Sequence, residues 1–314
     1  METFEKVLNE WLNYVKKQVK LSTYACYMRL ASTHILPYFG HMEIKNIDQH
    51  IITKFITSKL ENGRIDGSGG LSEKTVKDMM SIINSVLRYS EVVYAQKKPE
   101  FFKWRYSNIS KEIDIFTKYE QEILEKYLTA LPDPPKLGIF ICLYSGLRLG
   151  EICALQWKDI DLAHKLFHVR KTVQRIYWPS DAQRTQVIIG PPKTKAAIRD
   201  IPITSALEAY LEKYYDSCDM DDYVVSFSHK KFTDPRTYQK KYKNYIEDSG
   251  LRYRNFHCLR HTFATRCIEK GIDVKSLSEI LGHSNVNITL NRYVHSSMEQ
   301  KRNQLEKLCK TIQI

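Results

Sequence analysis

Six polar side chains that are far apart in the chain have the chemistry of a single active site. They are one phenol, two guanidinium groups, two imidazoles and one ammonium group: Tyr293, Arg148, Arg260, His257, His283 and Lys193. The phenol, whose ordinary pKa is about 10, has to lose its proton as its oxygen attacks. Each guanidinium can hold two phosphate oxygens, the lysine can protonate a departing oxygen, and an imidazole can bind phosphate or help to take the phenol proton. This combination is suited to attack on a phosphodiester.

Such an attack predicts a covalent intermediate and needs no nucleotide cofactor. The product would be a 3′-phosphotyrosyl enzyme, which keeps the energy of the broken bond for rejoining. Fixed positive charge around the phosphate would supply most of the catalysis. A zinc site that uses His257, Cys258 and His261 is the alternative that the sequence suggests, but partner cysteines at ligand spacing are missing. We therefore predict neither a metal nor a cofactor.

Each of these residues also has an ordinary explanation when it is considered alone. Arg148 follows a turn, where a surface arginine is common, and Lys193 could be a solvated loop lysine. Gly282 before His283 is typical of a helix cap that carries a surface histidine. Tyr293 is one of 20 tyrosines. The case for one site therefore depends on the order of the residues and on the segments around them.

The first third of the chain has the apolar spacing of a small helical bundle. A glycine-rich loop at 62–70 separates its last two helices. Ser72 is the predicted N-cap of the last helix, with Leu71 and Val76 at the positions of a hydrophobic staple. The predicted helices cover 3–19, 22–38, 48–61 and 72–93. We predict one domain at 1–95 and an interdomain linker at 96–115.

The rest of the chain predicts a second domain at 116–314 that is mainly helical. Thr117 and Glu120 have the spacing of a capping box, and 136–155 predicts a pair of helices around the turn before Arg148. Apolar residues then alternate in 166–177 and 185–203, which favours a small antiparallel sheet. Helices return from Ala206 onward. The predicted fold class is mainly α with a small antiparallel β-sheet (α+β).

Both parts of the chain carry an excess of positive charge. The 314 residues include 48 Lys and Arg and 36 Asp and Glu, a formal net charge of +12. Residues 1–105 hold 16 basic and 11 acidic residues, and 106–314 hold 32 and 25. A soluble protein this basic commonly binds a polyanion. Scattered cysteines, no apparent signal peptide and no apolar run of about 20 residues favour a cytoplasmic protein without a membrane partner.

The segments around the six residues resemble the tyrosine recombinase, or phage integrase, family. The similarity covers about 3–310 and is most specific over 140–160 and 255–300. It implies a SAM-like helical core-binding domain at 1–95, which binds DNA, and a tyrosine-recombinase catalytic domain at 116–314 with a C-terminal tail helix. The segments are Ser145-Gly-Leu-Arg148-Leu-Gly-Glu151, Pro192-Lys193-Thr-Lys195, His257-Cys-Leu-Arg260-His261, and Leu281-Gly-His283 with Tyr293 ten residues beyond His283.

The resemblance also implies a role for each residue. Arg148 and Arg260 would clamp the scissile phosphate. Lys193 rather than Lys195 would protonate the leaving oxygen from a mobile hairpin, because it fits the family's Pro-Lys-Thr pattern. The remaining roles would be proton movement and phosphate binding for His257 and His283, nucleophilic attack for Tyr293, and orientation of Arg148 for Glu151.

By the same resemblance we expect a site-specific recombinase that acts on double-stranded DNA attachment sites, as a homotetramer on two duplexes. The spacing of His283 and Tyr293 favours integration and excision of a mobile element over an Xer-type resolvase or invertase. An accessory DNA-bending or excision factor could take part. The tail at 298–308 could dock on a neighbouring protomer or on its own domain. The rival classes are a type IB topoisomerase, a DNA-binding regulator without catalysis and a metal-dependent nuclease.

Overall fold

The computed structural model describes residues 2–96, 104, 113–131, 133–178, 185–216, 218–228, 231–293, 302 and 306. The chain forms two compact units, Met1–Lys111 with Arg175–Gln186 and Glu112–Gln174 with Val187–Ile314. Most of the predicted linker at 96–115 and of the predicted tail helix lies outside the described residues. The domain bounds given above therefore stay a prediction.

The first unit packs α-helices around one hydrophobic core. Ser72 caps its longest helix by accepting the backbone N–H of Thr75, as the sequence predicted, and Asp48 caps the helix before it in the same way. Val76, on the first turn after Ser72, is fully buried in the core. The helices are α1 (Phe4–Val15), α2 (Leu21–Leu30), α3 (Leu36–Phe39), α4 (Gln49–Asn62) and α5 (Glu73–Tyr94).

The single helix predicted at 22–38 is interrupted between α2 and α3. Residues Ala31–Ile35 form a π-helical turn there. Pro37 lies in the first turn of α3. A proline has no N–H to donate to the carbonyl four residues earlier, and in a regular α-helix its ring would clash with that carbonyl. That carbonyl belongs to Thr33, inside the π-helical turn, where the backbone is wide enough to accommodate the proline.

The second unit contains the helices that carry the predicted site. Thr117 and Glu120 form the predicted capping box at the start of the first of them. The buried helix α7 packs against α6, α10 and α11, so it lies at the centre of this unit and fixes the turn that follows it. The helices are α6 (Lys118–Ala130), α7 (Pro134–Ser145), α8 (Leu149–Ala154), α9 (Ser205–Tyr215), α10 (Pro235–Asp248), α11 (His257–Glu269), α12 (Val274–Leu281) and α13 (Val286–Tyr293).

The strands form two small sheets where the sequence predicted one. Phe167 pairs with both Ile160 and Ile201, so β2 lies antiparallel between its two neighbours. Strands β3 and β4 pair separately. The two residues between β2 and β3 interrupt the ladder, and Arg170 there donates to the Arg199 carbonyl and to Asp200. The strands are β1 (Ile160–Asp161), β2 (Leu166–Val169), β3 (Thr172–Tyr177), β4 (Thr185–Gly190) and β5 (Arg199–Pro202).

The structure confirms the predicted fold class, mainly helical with small antiparallel sheets. Among the described helices, none combines the length and the apolar character needed to cross a membrane. Within the same residues, no group of three or more His, Cys, Asp and Glu side chains is placed to hold a metal ion.

Candidate active site

Three arginines from separate parts of the second unit meet at the C-terminal end of α12. The last carbonyls of a helix have no partner within it and carry partial negative charge, so they attract cations. Here the carbonyls of three consecutive residues each accept a hydrogen bond from a different guanidinium group. The bonds are Arg199 Nε to the Ile280 oxygen, Arg260 Nη2 to the Leu281 oxygen (2.7 Å) and Arg148 Nη2 to the Gly282 oxygen (3.0 Å).

Gly282 ends α12 and allows this close assembly. Its φ of +64° lies in the left-handed region, and its N–H bonds back to the Glu279 carbonyl. A Cβ at this position would lie 3.0 Å from the Ala196 oxygen and 3.1 Å from the Ala197 Cα. The loop between β4 and β5 therefore packs directly on the helix end that holds the arginines.

Glu151 holds two of the three arginines in place. Its side chain is 3% exposed and accepts Arg148 Nη1 at 2.8 Å and the backbone N–H of Arg148 at 2.9 Å. Arg199 donates to both carboxylate oxygens, at 3.1 and 3.0 Å. Burial raises the pKa of this carboxyl group, but the two arginines outweigh it, and the net pKa is lowered. Glu151 is thus an ionised anchor, which agrees with the orienting role expected for it.

Arg260 links this cluster to the turn after α7. It is 2% exposed, and its Nη1 donates to the Gly146 carbonyl at 2.7 Å. Gly146 has a φ of +66°, and a Cβ there would lie 2.6 Å from the ring of Phe263, so the turn requires glycine. Burial lowers the pKa of the Arg260 guanidinium to about 9, which leaves it charged at neutral pH.

His283 lies beside Arg260, and its tautomer follows from its partners. Arg260 Nη2 is 3.0 Å from His283 Nε2, and His283 Nδ1 is 2.8 Å from Thr289 Oγ1. Because a guanidinium can only donate, Nε2 has to accept. A neutral His283 therefore carries its proton on Nδ1 and donates it to Thr289, which is buried on α13.

The predicted nucleophile contacts a histidine outside the predicted set. Tyr293, at the end of α13, is 8% exposed, and its Oη lies 2.6 Å from His261 Nδ1. His257, one helical turn earlier on α11, is exposed and its ring packs edge-on against that of His261, with centroids 4.4 Å apart. Burial raises the pKa of the Tyr293 phenol, so the phenol is protonated at neutral pH.

The three histidines are uncharged at neutral pH. The pKa of His261 is lowered to about 3, and the pKa values of His257 and His283 are lowered to about 4. Loss of water contact is the largest cause for the more enclosed His261 and His283, and it also acts on His257, one side of whose ring packs on His261 while the residue keeps an exposed surface. Nearby cationic or titratable side chains follow, Arg260 foremost for His257 and His283. The site therefore contains cationic guanidinium groups and neutral imidazoles, an environment that favours an anion.

Five of the six predicted residues thus belong to two linked groups on neighbouring elements. Arg148, Arg260 and His283 gather at the end of α12, and Tyr293 and His257 meet through His261 on α11, the helix that also carries Arg260. Lys193 lies exposed in the loop between β4 and β5. Its position within the site, its preference over Lys195 and the catalytic roles of all six stay predictions.

This geometry agrees with the similarity of the chain to known proteins. Residues 118–300 match the phage integrase family, and residues 3–60 match the phage integrase N-terminal SAM-like domain. The chain belongs to the phage integrase family. This family comprises tyrosine recombinases, so the chain is a tyrosine recombinase, as the sequence predicted.

Relatives of this integrase-family chain include proteins similar along nearly its whole length. A protein named tyrosine recombinase XerC-like, from Caldanaerobacter subterraneus subsp. tengcongensis, is 28% identical over 98% of this chain and 82% of its own length. The ICEBs1 integrase of Bacillus subtilis is 25% identical over the same shares. The solved structure of the Tn1549 transposon integrase has a TM-score of 0.74 at 20% identity, and the match covers 98% of this chain and all of that one. That likeness confirms the fold.

The sequence analysis did not single out two side chains that contact the predicted residues, His261 and Arg199. His261 was considered only as a zinc ligand, although it follows Arg260 directly and lies four residues after His257, on the same face of a helix. Arg199 received no role in the sequence analysis. Its partner Glu151 lies 48 residues earlier, and a sequence gives no local signal for a pair at that separation.

The neutral histidines of the integrase predict a specific loss of stability in weak acid. His261 and His283 have pKa values of about 3 and 4 in the folded chain, against about 6.5 when unfolded. Between pH 6.5 and pH 4 the unfolded chain binds more protons, so the free energy of unfolding should fall as pH falls, by up to about 1.4 kcal/mol per pH unit for each histidine. Thermal unfolding at pH 7, 6 and 5 measures this.

The control for this experiment is a histidine on the surface of the first unit. His50→Asn alters an exposed side chain on α4, and that variant should show the same dependence on pH as the wild type. His261→Asn should show a shallower dependence. Buried carboxylates lose their stabilising charge only below about pH 5, so a change in stability between pH 7 and pH 5 reports on the histidines. A wild-type melting temperature that is constant over this range would contradict the prediction.

Proposed function

We propose that this chain is a site-specific DNA recombinase that cuts a strand with Tyr293 and rejoins it through a 3′-phosphotyrosyl intermediate. The observation that carries the proposal is the meeting of Arg148, Arg260 and His283 at one helix end, where Arg260 lies on the helix whose His261 contacts Tyr293. Glu151 is shared by two other guanidinium groups, so Arg260 has no carboxylate partner among the described residues. A phosphodiester would supply the missing negative charge.

In this mechanism the two arginines bind the non-bridging oxygens and oppose the charge that grows on them in the transition state. Tyr293 Oη attacks the phosphorus, the bond to the 5′-oxygen breaks, and Lys193 gives that oxygen a proton. When a phosphate oxygen takes the Arg260 N–H, His283 Nε2 loses its donor and can bind a proton from solvent, which lets it donate a hydrogen bond to the phosphate without transferring the proton. A 5′-hydroxyl from the second duplex reverses the steps and releases Tyr293.

DNA is the proposed substrate. The chain has a net charge of +12, spread over both of its parts, which suits contact with phosphates along a duplex. The solved Tn1549 integrase is described in complex with transposon right end DNA. We extend that partner to this chain because the second unit has the same fold and because Arg260, within the arginine cluster, has no carboxylate partner among the described residues.

Integration and excision of a mobile element is the proposed biological reaction. Two relatives that match over almost the whole chain are named after mobile elements, the ICEBs1 integrase and the Tn1549 transposon integrase. The spacing of ten residues from His283 to Tyr293 favours the same class. The XerC-like relative supports resolution or inversion as the second candidate. For either reaction we propose four protomers on two duplexes, with an accessory factor that sets direction.

The proposed reaction predicts a covalent protein–DNA adduct that depends on Tyr293. Wild-type protein should form an adduct that resists SDS on a nicked suicide duplex carrying a junction sequence from the DNA that flanks its gene. The reaction should proceed in EDTA, since no step uses a metal. Tyr293→Phe should bind the same duplex and form no adduct, because its ring lacks the attacking oxygen.

The matched control is Tyr119→Phe, which removes the hydroxyl of an exposed tyrosine on α6 and should leave the adduct unchanged. Cleavage that EDTA abolishes would support a metal-dependent nuclease. A wild-type protein that binds the duplex and never forms the adduct would support a DNA-binding regulator. Two-duplex products distinguish a recombinase from a topoisomerase, which relaxes a single duplex.

A further inference from the structure

The hydrogen bond between Tyr293 and His261 places an imidazole on the oxygen that has to attack. The Oη–Nδ1 distance of 2.6 Å is short, and both side chains are buried, at 8% and 6% exposure. Their rings are tilted by 51° with centroids 5.6 Å apart, which leaves the nitrogen, rather than the ring face, directed at the phenol. This contact joins α11 to α13 within the second unit.

The resemblance gave proton movement to His257 and His283, and the geometry favours His261 for the proton of the Tyr293 phenol. His257 is exposed at the first turn of α11 and meets the edge of the His261 ring. His261 lies one turn further along the same helix face, between His257 and Tyr293. A group that takes the phenol proton has to be within hydrogen-bond reach of the phenol oxygen, and His261 satisfies that requirement.

We propose that His261 is a catalytic residue of strand cleavage, which holds the hydroxyl of Tyr293 in position and accepts its proton as the phenol oxygen attacks the phosphorus. The inference rests on the proposed recombinase function and adds a residue to its mechanism. Neutral phenol and neutral imidazole form the resting pair, with the O–H donating to Nδ1.

The proton balance of this step closes within the site. As the bond from Oη to phosphorus forms, the phenol proton moves to His261 Nδ1 and makes an imidazolium. As the bond from phosphorus to the 5′-oxygen breaks, Lys193 gives that oxygen a proton and becomes a neutral amine. The phosphodiester becomes a phosphotyrosyl diester with the same charge. Rejoining runs the same transfers backward, so neither an oxidant nor a cofactor is needed.

The charges around His261 make proton acceptance depend on bound DNA. Arg260 and His257 face it from α11, Arg292 faces it from α13, and His283 faces it from the turn between α12 and α13. In the free protein the two charged arginines and burial oppose an imidazolium, so the phenol keeps its proton. A phosphodiester bound between the arginines supplies negative charge and removes part of that opposition. The nucleophile is then activated only when its substrate is present.

Two substitutions at position 261 distinguish positioning of the Tyr293 hydroxyl from acceptance of its proton. His261→Asn places an amide oxygen close to the position of Nδ1, so it can accept the phenol hydrogen bond but cannot take the proton. His261→Leu removes both functions. In single-turnover cleavage we expect His261→Asn to be slower than wild type by roughly 100-fold or more and His261→Leu to be slower still. His164→Asn, in an exposed turn of the same unit, should match wild type.

The dependence on pH distinguishes a proton acceptor from a residue that only supports the structure. Without an internal acceptor the phenol has to lose its proton to solvent before it attacks. The cleavage rate of His261→Asn should therefore rise about tenfold per pH unit between pH 7 and pH 9, because this range lies below the phenol pKa, which burial raises, while the wild-type rate stays nearly constant. A structural defect would lower the rate at every pH by the same factor.

A modified substrate distinguishes proton removal from the nucleophile, proposed for His261, from proton donation to the leaving group, proposed for Lys193. A duplex with a bridging 5′-sulfur at the cut position has a thiolate leaving group that needs no protonation. This duplex should restore cleavage by Lys193→Ala and should leave His261→Asn slow. Equal rescue of both variants, or His261→Asn cleavage within threefold of wild type at pH 7, would overturn the proposal. If the wild type itself forms no adduct, the recombinase function fails instead.

Discussion

In single-turnover cleavage of the suicide duplex, we expect Arg260→Lys to be slower than wild type by roughly 10³-fold or more, with nearly unchanged affinity for the duplex. Arg260 uses one nitrogen for the Gly146 carbonyl and the other for the Leu281 carbonyl and His283. A lysine keeps the charge but has a single nitrogen, so it cannot span these partners or grip two phosphate oxygens. Duplex affinity depends on many phosphate contacts along the DNA, of which this is one.

The control for this prediction lies on the same helix. Arg266, six residues further along α11, donates to Gln121, Glu269 and the Phe116 carbonyl, away from the candidate site. Arg266→Lys should lower thermal stability by an amount similar to Arg260→Lys and should leave cleavage unchanged. If Arg260→Lys cleaves within tenfold of wild type, or if both variants lose cleavage equally, Arg260 is not the phosphate ligand that the mechanism requires.

The sequence predicted those parts of the structure that depend on neighbouring residues. The capping box of Thr117 and Glu120 and the N-cap at Ser72 involve partners three residues apart, and both are present. Alternation of apolar residues predicted strands, but it does not identify the partner of a strand. For that reason one predicted sheet became two, with β2 pairing across to β5 rather than to β3.

The candidate site shows the same limit at the level of single residues. Residue types, their order and the family resemblance selected Arg148, Arg260, His283 and Tyr293 as candidates, and the structure brings the first three together. The groups that bring the arginines together are backbone carbonyls at the end of α12. Every residue has a backbone carbonyl, so the sequence does not show which ones take part. The ordinary explanation of Gly282 and His283 as a helix cap was half correct, since Gly282 does cap α12 and thereby places His283 beside Arg260.

Two histidines of one helix face also could not be told apart before the structure was known. His257 and His261 are four residues apart, so both lie on the side of α11 that carries Arg260. Which of them reaches Tyr293 depends on how α13 packs against α11, and that packing involves buried residues from several segments. Long-range packing of this kind leaves no periodic signal in the chain.

The largest effect on stability is expected from Glu151→Gln, which should lower the free energy of unfolding at pH 7 by about 3–5 kcal/mol. The substitution leaves two arginines facing an amide with only one acceptor oxygen, and Arg199, whose side chain is 7% exposed, stays charged without its anion. The lowered pKa of Glu151 means that its carboxylate stabilises the fold above the unfolded pKa of about 4.3, so the loss is complete at pH 7. Chemical denaturation monitored by circular dichroism measures it.

An exposed ion pair provides the comparison for Glu151. Glu247 lies 3.6 Å from Lys243 on α10, and both side chains are about half exposed, so Glu247→Gln should cost less than about 1 kcal/mol. Equal losses for the two variants would show that burial of the Glu151 carboxylate among arginines contributes nothing beyond a surface pair.

A double substitution tests whether the cost arises from the stranded cation. Arg199→Met removes the buried charge that Glu151→Gln would leave without a partner, so the two changes together should destabilise the chain by less than the sum of the single changes. The double variant should still cleave slowly, because Arg148 loses the carboxylate that holds its guanidinium and its backbone N–H. Additive losses of stability would contradict the proposed pairing. If the double variant recovers stability but not cleavage, the contact of Glu151 with Arg199 stabilises the fold, and its contact with Arg148 is needed for the reaction.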